Sequence, residues 1–102
     1  MPGDRDGVRV AAMIEQSLQV TYRKGRVFAA YLYLRRPTGE RSARTEASPD
    51  GLLVVDYATD GWLIGVEITA PEAVTLERIN GLLGALGQPL LSEGEFRPLT
   101  AA

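Results

Sequence analysis

The sequence predicts a single α+β domain, in which an antiparallel β-meander of about five strands is followed by one C-terminal helix. Three observations support this prediction. Runs of strand length, either alternating or continuously apolar, fill residues 18–68, and glycine, proline and aspartate separate them. Beyond residue 71, leucine and isoleucine recur at the spacing of one helical face. The 102 residues are enough for one domain and too few for two.

The first half of the chain predicts three strands. Residues 18–22 alternate apolar and polar side chains, and the basic run 23–26 ends them in a turn. Residues 27–34 are apolar nearly throughout and rich in aromatic side chains, which is typical of a central strand with both faces covered. A turn over residues 35–40 leads to the polar segment 41–47, which we predict to be an edge strand.

The clearest strands are residues 52–57 and 62–68, which an Asp-Gly turn signal joins as a hairpin. A three-residue loop, with Gly61 in the left-handed region, predicts that Asp56 pairs with Ile64. This register brings six apolar residues onto the core face: Leu52, Val54, Trp62, Ile64, Val66 and Ile68.

The predicted helix follows these strands. Thr69 and Glu72 have the spacing of a capping box, and Pro71 suits a first helical turn. Gly87 and Pro89 would end the helix. Its apolar face consists of Leu76, Ile79, Leu82, Leu83 and Leu86.

The chain divides into three predicted parts. Residues 1–16 are expected to be a flexible extension, residues 17–87 the β-rich domain with its helix, and residues 88–102 a C-terminal tail. One short helix covers only part of a sheet with an apolar face, so we predict that a second copy covers the rest in a homodimer. Three apolar residues could order part of the tail: Leu90, Leu91 and Phe96.

The composition excludes several types of covalent link, metal site and catalytic residue. The sequence contains no cysteine and no histidine, which excludes disulfides, Cys or His metal sites, and thiol or imidazole catalysis within these residues. Residues 1–47 carry nine Lys/Arg and five Asp/Glu (+4), and residues 48–102 carry two and eight (−6), giving the net charge of −2. We find neither a secretory signal pattern nor the ~20 apolar residues of a membrane span, and therefore predict a cytoplasmic protein.

The hairpin region resembles a known family. Residues 51–68, GLLVVDYATDGWLIGVEI, are similar to the hallmark of domain-of-unknown-function family 2283, a family of short prokaryotic proteins. Residues 20–22 and 29–34 match its opening tyrosine and its alanine-leucine-tyrosine-isoleucine strand more loosely. The resemblance covers about residues 18–69 and implies a compact β-rich fold without an established activity. Some members lie beside toxin-like genes, which implies an antitoxin-like or regulatory role in binding a partner.

The chain departs from this family at its first link, where the family tends to carry acidic residues. Here the link contains three basic residues and a phenylalanine, namely Arg23, Lys24, Arg26 and Phe28. A role that depends on acidic residues at this link therefore does not extend to this chain.

Two acidic residues are functional candidates. Asp56 and Glu67 could act together as general acid and base, or bind a hard cation through oxygen. The predicted register places them on opposite faces of the hairpin, which favours a structural role for both. Asp60 is sufficiently explained as a turn residue.

Two arginines and two tyrosines complete the candidates. Arg35 and Arg36, with the other arginines of the first half, could form a phosphate-binding surface on which Tyr31 and Tyr33 offer stacking platforms. The negative net charge and the absence of a nucleic-acid motif instead favour solvated arginines. Tyr31 and Tyr33 are expected to pack in the core or in a dimer interface.

The sequence therefore predicts a non-enzymatic module that binds another protein, as a homodimer, with no catalytic, cofactor-binding or metal-binding residue assigned. The polar edge strand 41–47 could accept a partner strand. One alternative is a small nucleic-acid-associated regulator that uses the basic half. The other is a carboxylate- or metal-dependent enzyme around Asp56 and Glu67.

Overall fold

The computed structural model describes residues 13–37 and 41–100. In these residues, five strands longer than two residues form one antiparallel sheet, and two helices follow them. The predicted α+β fold, with a five-stranded antiparallel sheet and a C-terminal helix, is confirmed. The elements are β1 (Ser17–Arg23), β2 (Arg26–Tyr33), β3 (Ser42–Ala47), β4 (Leu53–Ala58), β5 (Leu63–Ile68), α1 (Leu76–Ala85) and α2 (Glu93–Phe96).

Shorter elements connect these parts. Met13–Ile14 pairs antiparallel with Arg36–Pro37, and 3₁₀ turns lie at Pro71–Ala73 and Arg97–Leu99. The predicted flexible extension lies mostly outside the described residues, as does the end of the predicted turn 35–40.

The strands lie in the order β1-β2-β5-β4-β3. β1 and β2 form one hairpin, and β3, β4 and β5 follow one another as a meander. The chain leaves β2 inside the sheet, crosses to the far edge to begin β3, and returns until β5 pairs with β2. The sheet is therefore not sequential from end to end, and β2 to β5 have the strand arrangement of a Greek key.

The turn between β4 and β5 forms as predicted, but the predicted strand register is wrong. The Ala58 N–H donates to the Trp62 carbonyl at 2.8 Å, and Gly61 has a φ of +91°. Asp56 nevertheless pairs with Gly65, because Ile64 is an extra residue in β5 that has no partner in β4. Such a β-bulge shifts all later partners by one residue and exchanges the faces of one strand relative to the other.

One face of the sheet packs against α1 and forms the core. Leu32 and Val66 on the sheet, and Ile79 and Leu83 on α1, are fully buried. The bulge changes which residues of β4 face this core: Leu53 and Val55 are buried there, in place of the predicted Leu52 and Val54. Ile64, Val66 and Ile68 are buried as predicted, whereas the Trp62 side chain is 59% exposed.

The predicted capping box at Thr69 is wrong. Pro71–Ala73 forms a separate 3₁₀ turn, and Val74 after it is extended, with φ −113° and ψ 130°. The α-helix begins only after Thr75, whose hydroxyl oxygen accepts the Arg78 N–H at 3.1 Å. The cap is thus supplied six residues later than the sequence spacing indicates, because the extended Val74 interrupts the helical backbone.

The segment after α1 is part of the core. Phe96 and Leu99 are buried, and so is Leu91, whereas Leu90 is 57% exposed. The Asn80 side chain of α1 binds the backbone of Leu91 twice, donating to its carbonyl at 2.9 Å and accepting its N–H at 2.8 Å. This pair of hydrogen bonds fixes the entry of the segment onto the helix.

Candidate functional site

The sheet face opposite α1 brings four of the six candidate residues together. Tyr31 of β2 lies opposite Glu67 of β5, and Tyr33 lies opposite Gly65. On the other side of β5, Asp56 of β4 lies opposite the same Gly65. We call these five residues the tyrosine–carboxylate face. The prediction that Asp56 and Glu67 lie on opposite faces is wrong, because the bulge at Ile64 shifts the register by one residue and brings both side chains to the same face of the sheet.

Tyr31 is the centre of this face. Its hydroxyl donates a hydrogen bond to the Asp56 Oδ2 at 2.7 Å, and so reaches across β5. Its ring also meets the Tyr33 ring edge-on, with the centroids 4.7 Å apart. Such edge-to-face contacts between aromatic rings are favourable and fix ring orientation. The two tyrosines and Asp56 therefore form one connected unit across three strands.

Gly65 makes this contact across the sheet possible. A Cβ atom at this position would lie 2.6 Å from the Tyr31 hydroxyl oxygen and 2.7 Å from the Leu32 carbonyl oxygen. The Tyr31 side chain occupies the space that any other side chain at position 65 would need. Gly65 was not among the residues predicted from the sequence, although a single glycine inside a strand pattern indicates a bulge or a close approach, and both occur here.

The environment keeps the Tyr31 phenol protonated. Burial raises the pKa of the Tyr31 phenol well above its usual range, and the hydrogen bond to Asp56 and the Asp56 charge raise it further. Arg36 acts in the opposite direction on this pKa and is itself only 5% exposed. Tyr31 consequently acts as a hydrogen-bond donor at neutral pH and not as a base.

The two carboxylates differ in what they can bind. Asp56 already accepts the Tyr31 hydroxyl, while Glu67 is exposed beside it. No group of three or more acidic residues that could hold a metal ion occurs within residues 13–37 and 41–100. For the alternative of a carboxylate- or metal-dependent enzyme, this face therefore offers one carboxylate that is already hydrogen-bonded, Asp56, and one that is exposed, Glu67.

The arginines do not gather over the two tyrosines. Arg35 is exposed and pairs with Glu15 at 3.2 Å, whereas Arg36 is buried in the short strand Arg36–Pro37. Arg44 lies 4.0 Å above the Tyr57 ring, away from Tyr31 and Tyr33. A surface that binds nucleic acid through phosphates and base stacking needs cations beside its aromatic rings. On its own face Tyr31 contacts Tyr33 and lies beside Asp56 and Glu67, and Arg36, whose charge acts on the Tyr31 phenol, is buried.

The edge strand β3 forms the second feature of interest. The predicted edge strand is confirmed, because β3 pairs with β4 on one side and is the last strand of the sheet. All six of its residues are exposed. Arg44 and Glu46 project from the same side of β3, pair with each other, and both contact the Tyr57 side chain.

No family model matches the sequence, and no curated protein or solved structure is detectably similar to it. The resemblance to domain-of-unknown-function family 2283 stays a prediction. Among the described residues, no helix is long and apolar enough to cross a membrane.

Proposed function

We propose that this chain is a non-enzymatic protein-binding module that dimerises by pairing β3 with β3 of a second copy. The observation that supports this proposal is the charge pattern of the exposed edge strand. An edge strand presents backbone N–H and C=O groups that a further strand can bind, so that the sheet continues from one chain to the next.

The charges of β3 are complementary to themselves. An antiparallel pairing centred on Thr45 places Arg44 opposite Glu46 of the second copy, and Glu46 opposite its Arg44. Opposed residues of an antiparallel pair share one face, so both ion pairs can form. Each such pair contributes only about 0.2–1 kcal/mol. The backbone hydrogen bonds would supply most of the affinity, and the charges would set the register.

The tyrosine–carboxylate face would then bind the partner protein. In the proposed dimer this face continues across both copies, because both sheets join edge to edge. Tyrosine is enriched in protein interfaces, since it offers a large apolar ring and a polar end. Asp56 and Glu67 would favour a basic partner surface. Binding of this kind fits the antitoxin-like or regulatory role that the family resemblance implies, and the cytoplasmic location stays a prediction.

The test of the dimer uses two charge reversals in β3. Arg44→Glu and Glu46→Arg each place like charges opposite one another in the paired strands, and each variant alone should dimerise more weakly than the wild type. An equimolar mixture should form a heterodimer, because every opposed pair then has opposite charges. Sedimentation velocity, or light scattering after gel filtration, measures the mass. Dimer formation in the mixture requires contact between two chains, and the Arg44–Glu46 ion pair within one chain would not produce it.

Arg97→Glu is the matched control, because it reverses an exposed charge outside the sheet and should leave the dimer intact. A wild-type protein that is monomeric at micromolar concentration would rule out the proposal. So would two single variants that dimerise as tightly as the wild type, since the register centred on Thr45 would then be absent.

A further inference from the structure

A groove of about 750 Å³ lies at the turn of the β1–β2 hairpin and shares no residue with the tyrosine–carboxylate face. The hairpin forms one wall, and the segments around Pro71–Ala73 and Leu99 form the other. Its lining combines three basic side chains with apolar ones and includes Arg23, Lys24, Arg26, Phe28, Val74 and Leu99.

The local backbone brings Phe28 and the cations to this groove. Thr21 pairs with Ala29 and Tyr22 with Val27, so Phe28 is the extra residue of a second bulge. Bulges redirect the side chain that they carry, and the Phe28 side chain is 49% exposed.

The turn itself is tight. Lys24 and Gly25 both have positive φ values, of 55° and 77°, as in a two-residue hairpin turn of type I′. A lysine in this region is uncommon. The turn keeps Arg23 and Arg26 adjacent as a cross-strand pair, and the Arg23 guanidinium lies 4.1 Å above the Phe28 ring.

The charge of the groove is one-sided. Its lining has three cations and one acid, Glu72. The other lining residues are apolar except for Thr100, and Val74 and Leu99 are also members of the hydrophobic core. A complementary occupant therefore carries negative charge at one end and an apolar body at the other. A volume of this size is typical of sites for single small molecules.

We propose that this groove binds a small anionic amphiphile, namely a carboxylate on a short aliphatic chain. The carboxylate lies against Arg23 and Arg26, for which charge-assisted hydrogen bonds to a carboxylate are the strongest contacts available. The aliphatic chain lies against Phe28, Val74 and Leu99. This site is independent of the proposed dimer and of the partner surface.

The test compares octanoate with 1-octanol by isothermal titration calorimetry and by thermal unfolding. Octanoate should bind with one site per chain and raise the melting temperature. Octanol has the same chain without the charge and should bind at least about tenfold more weakly. The Arg23→Gln/Arg26→Gln variant should weaken octanoate binding by a similar factor and leave octanol binding unchanged. The matched control for these charges is Arg41→Gln, which changes an exposed arginine outside the groove.

A second pair of variants tests the apolar part. Phe28→Ser should weaken octanoate binding, whereas Tyr22→Ser removes an aromatic ring of similar exposure outside the groove and should not. Equal affinity for octanoate and octanol, or an unchanged affinity in the double arginine variant, would overturn the proposal. An absence of octanoate binding at millimolar concentration would also overturn it. Binding of a glutamate-rich peptide alone, or a change of oligomeric state in the arginine variant, would overturn it too and would assign the groove to a protein partner.

Discussion

Gly65 and Tyr31 depend on each other at the scale of single residues. The phenol reaches Asp56 only because position 65 has no side chain. The same glycine directly follows the bulge at Ile64, so one short stretch of β5 both sets the register and makes room for the ring. Changes at these positions should consequently act on stability and on the tyrosine–carboxylate face together.

Gly65→Ala should lower the free energy of unfolding by about 1–3 kcal/mol, because the new methyl group would overlap Tyr31 and the Leu32 carbonyl. Gly81→Ala is the control, since a Cβ in that part of α1 would meet no atom within 4 Å. It should raise the stability by about 0.5–1 kcal/mol through helix propensity. Denaturant unfolding measures both values, and a Gly65→Ala variant as stable as the wild type would contradict the close approach.

The raised pKa of Tyr31 should make the protein sensitive to alkaline pH. The unfolded phenol titrates near pH ~10, whereas the folded state retains the proton to higher pH. Below pH ~10 both states hold the proton, and this contribution to stability is fully present. It is lost as the pH rises from there towards the folded pKa, because only the unfolded state has released its proton.

Tyr31→Phe should therefore show a weaker fall in unfolding free energy above pH ~10 than the wild type. One proton corresponds to at most about 1.4 kcal/mol per pH unit, and screening by solvent at this partly exposed site reduces it. Asp56→Asn should also weaken the fall, because the carboxylate helps to raise the pKa of Tyr31. Identical pH profiles for all three proteins would show that Tyr31 does not cause the dependence.

At the scale of elements, the sequence predicts the strands and their turns better than their faces. Alternation and the Asp-Gly turn locate β4 and β5 correctly, because both signals are local. The bulge at Ile64 depends on how β5 fits two neighbours at once, and the alternation of β5 alone does not reveal it. For this reason the residue types of the candidate site were predicted, while the convergence of Asp56 and Glu67 was not.

The C-terminal segment contributes more to the hydrophobic core than its sequence pattern predicts. Phe96→Ala should lower the free energy of unfolding by about 3–5 kcal/mol, because it empties a buried position. Leu90→Ala is the control at an exposed apolar residue and should change it by less than about 0.5 kcal/mol. Thermal or denaturant unfolding compares the two, and a small effect of Phe96→Ala would mean that this segment is not part of the folded core.

For the molecule as a whole, the strand order places strands of the basic half beside strands of the acidic half. The basic half of the chain supplies β1, β2 and β3, and the acidic half supplies β4 and β5. In the sheet, β5 and β4 lie between β2 and β3, so strands of the two halves are neighbours. The sequence shows the asymmetry but does not show this interleaving, because pairing between distant strands leaves no local pattern.

The pairing of β2 with β5 also has a consequence for the order in which the chain can fold. It joins Tyr33 to Gly65, 32 positions apart, whereas the β4–β5 hairpin joins Tyr57 to Leu63, six positions apart. Closing the longer loop costs about 1.5 kcal/mol more in chain entropy. The β1–β2 hairpin and the β3–β5 meander can each form locally, and we expect their joining to limit the folding rate.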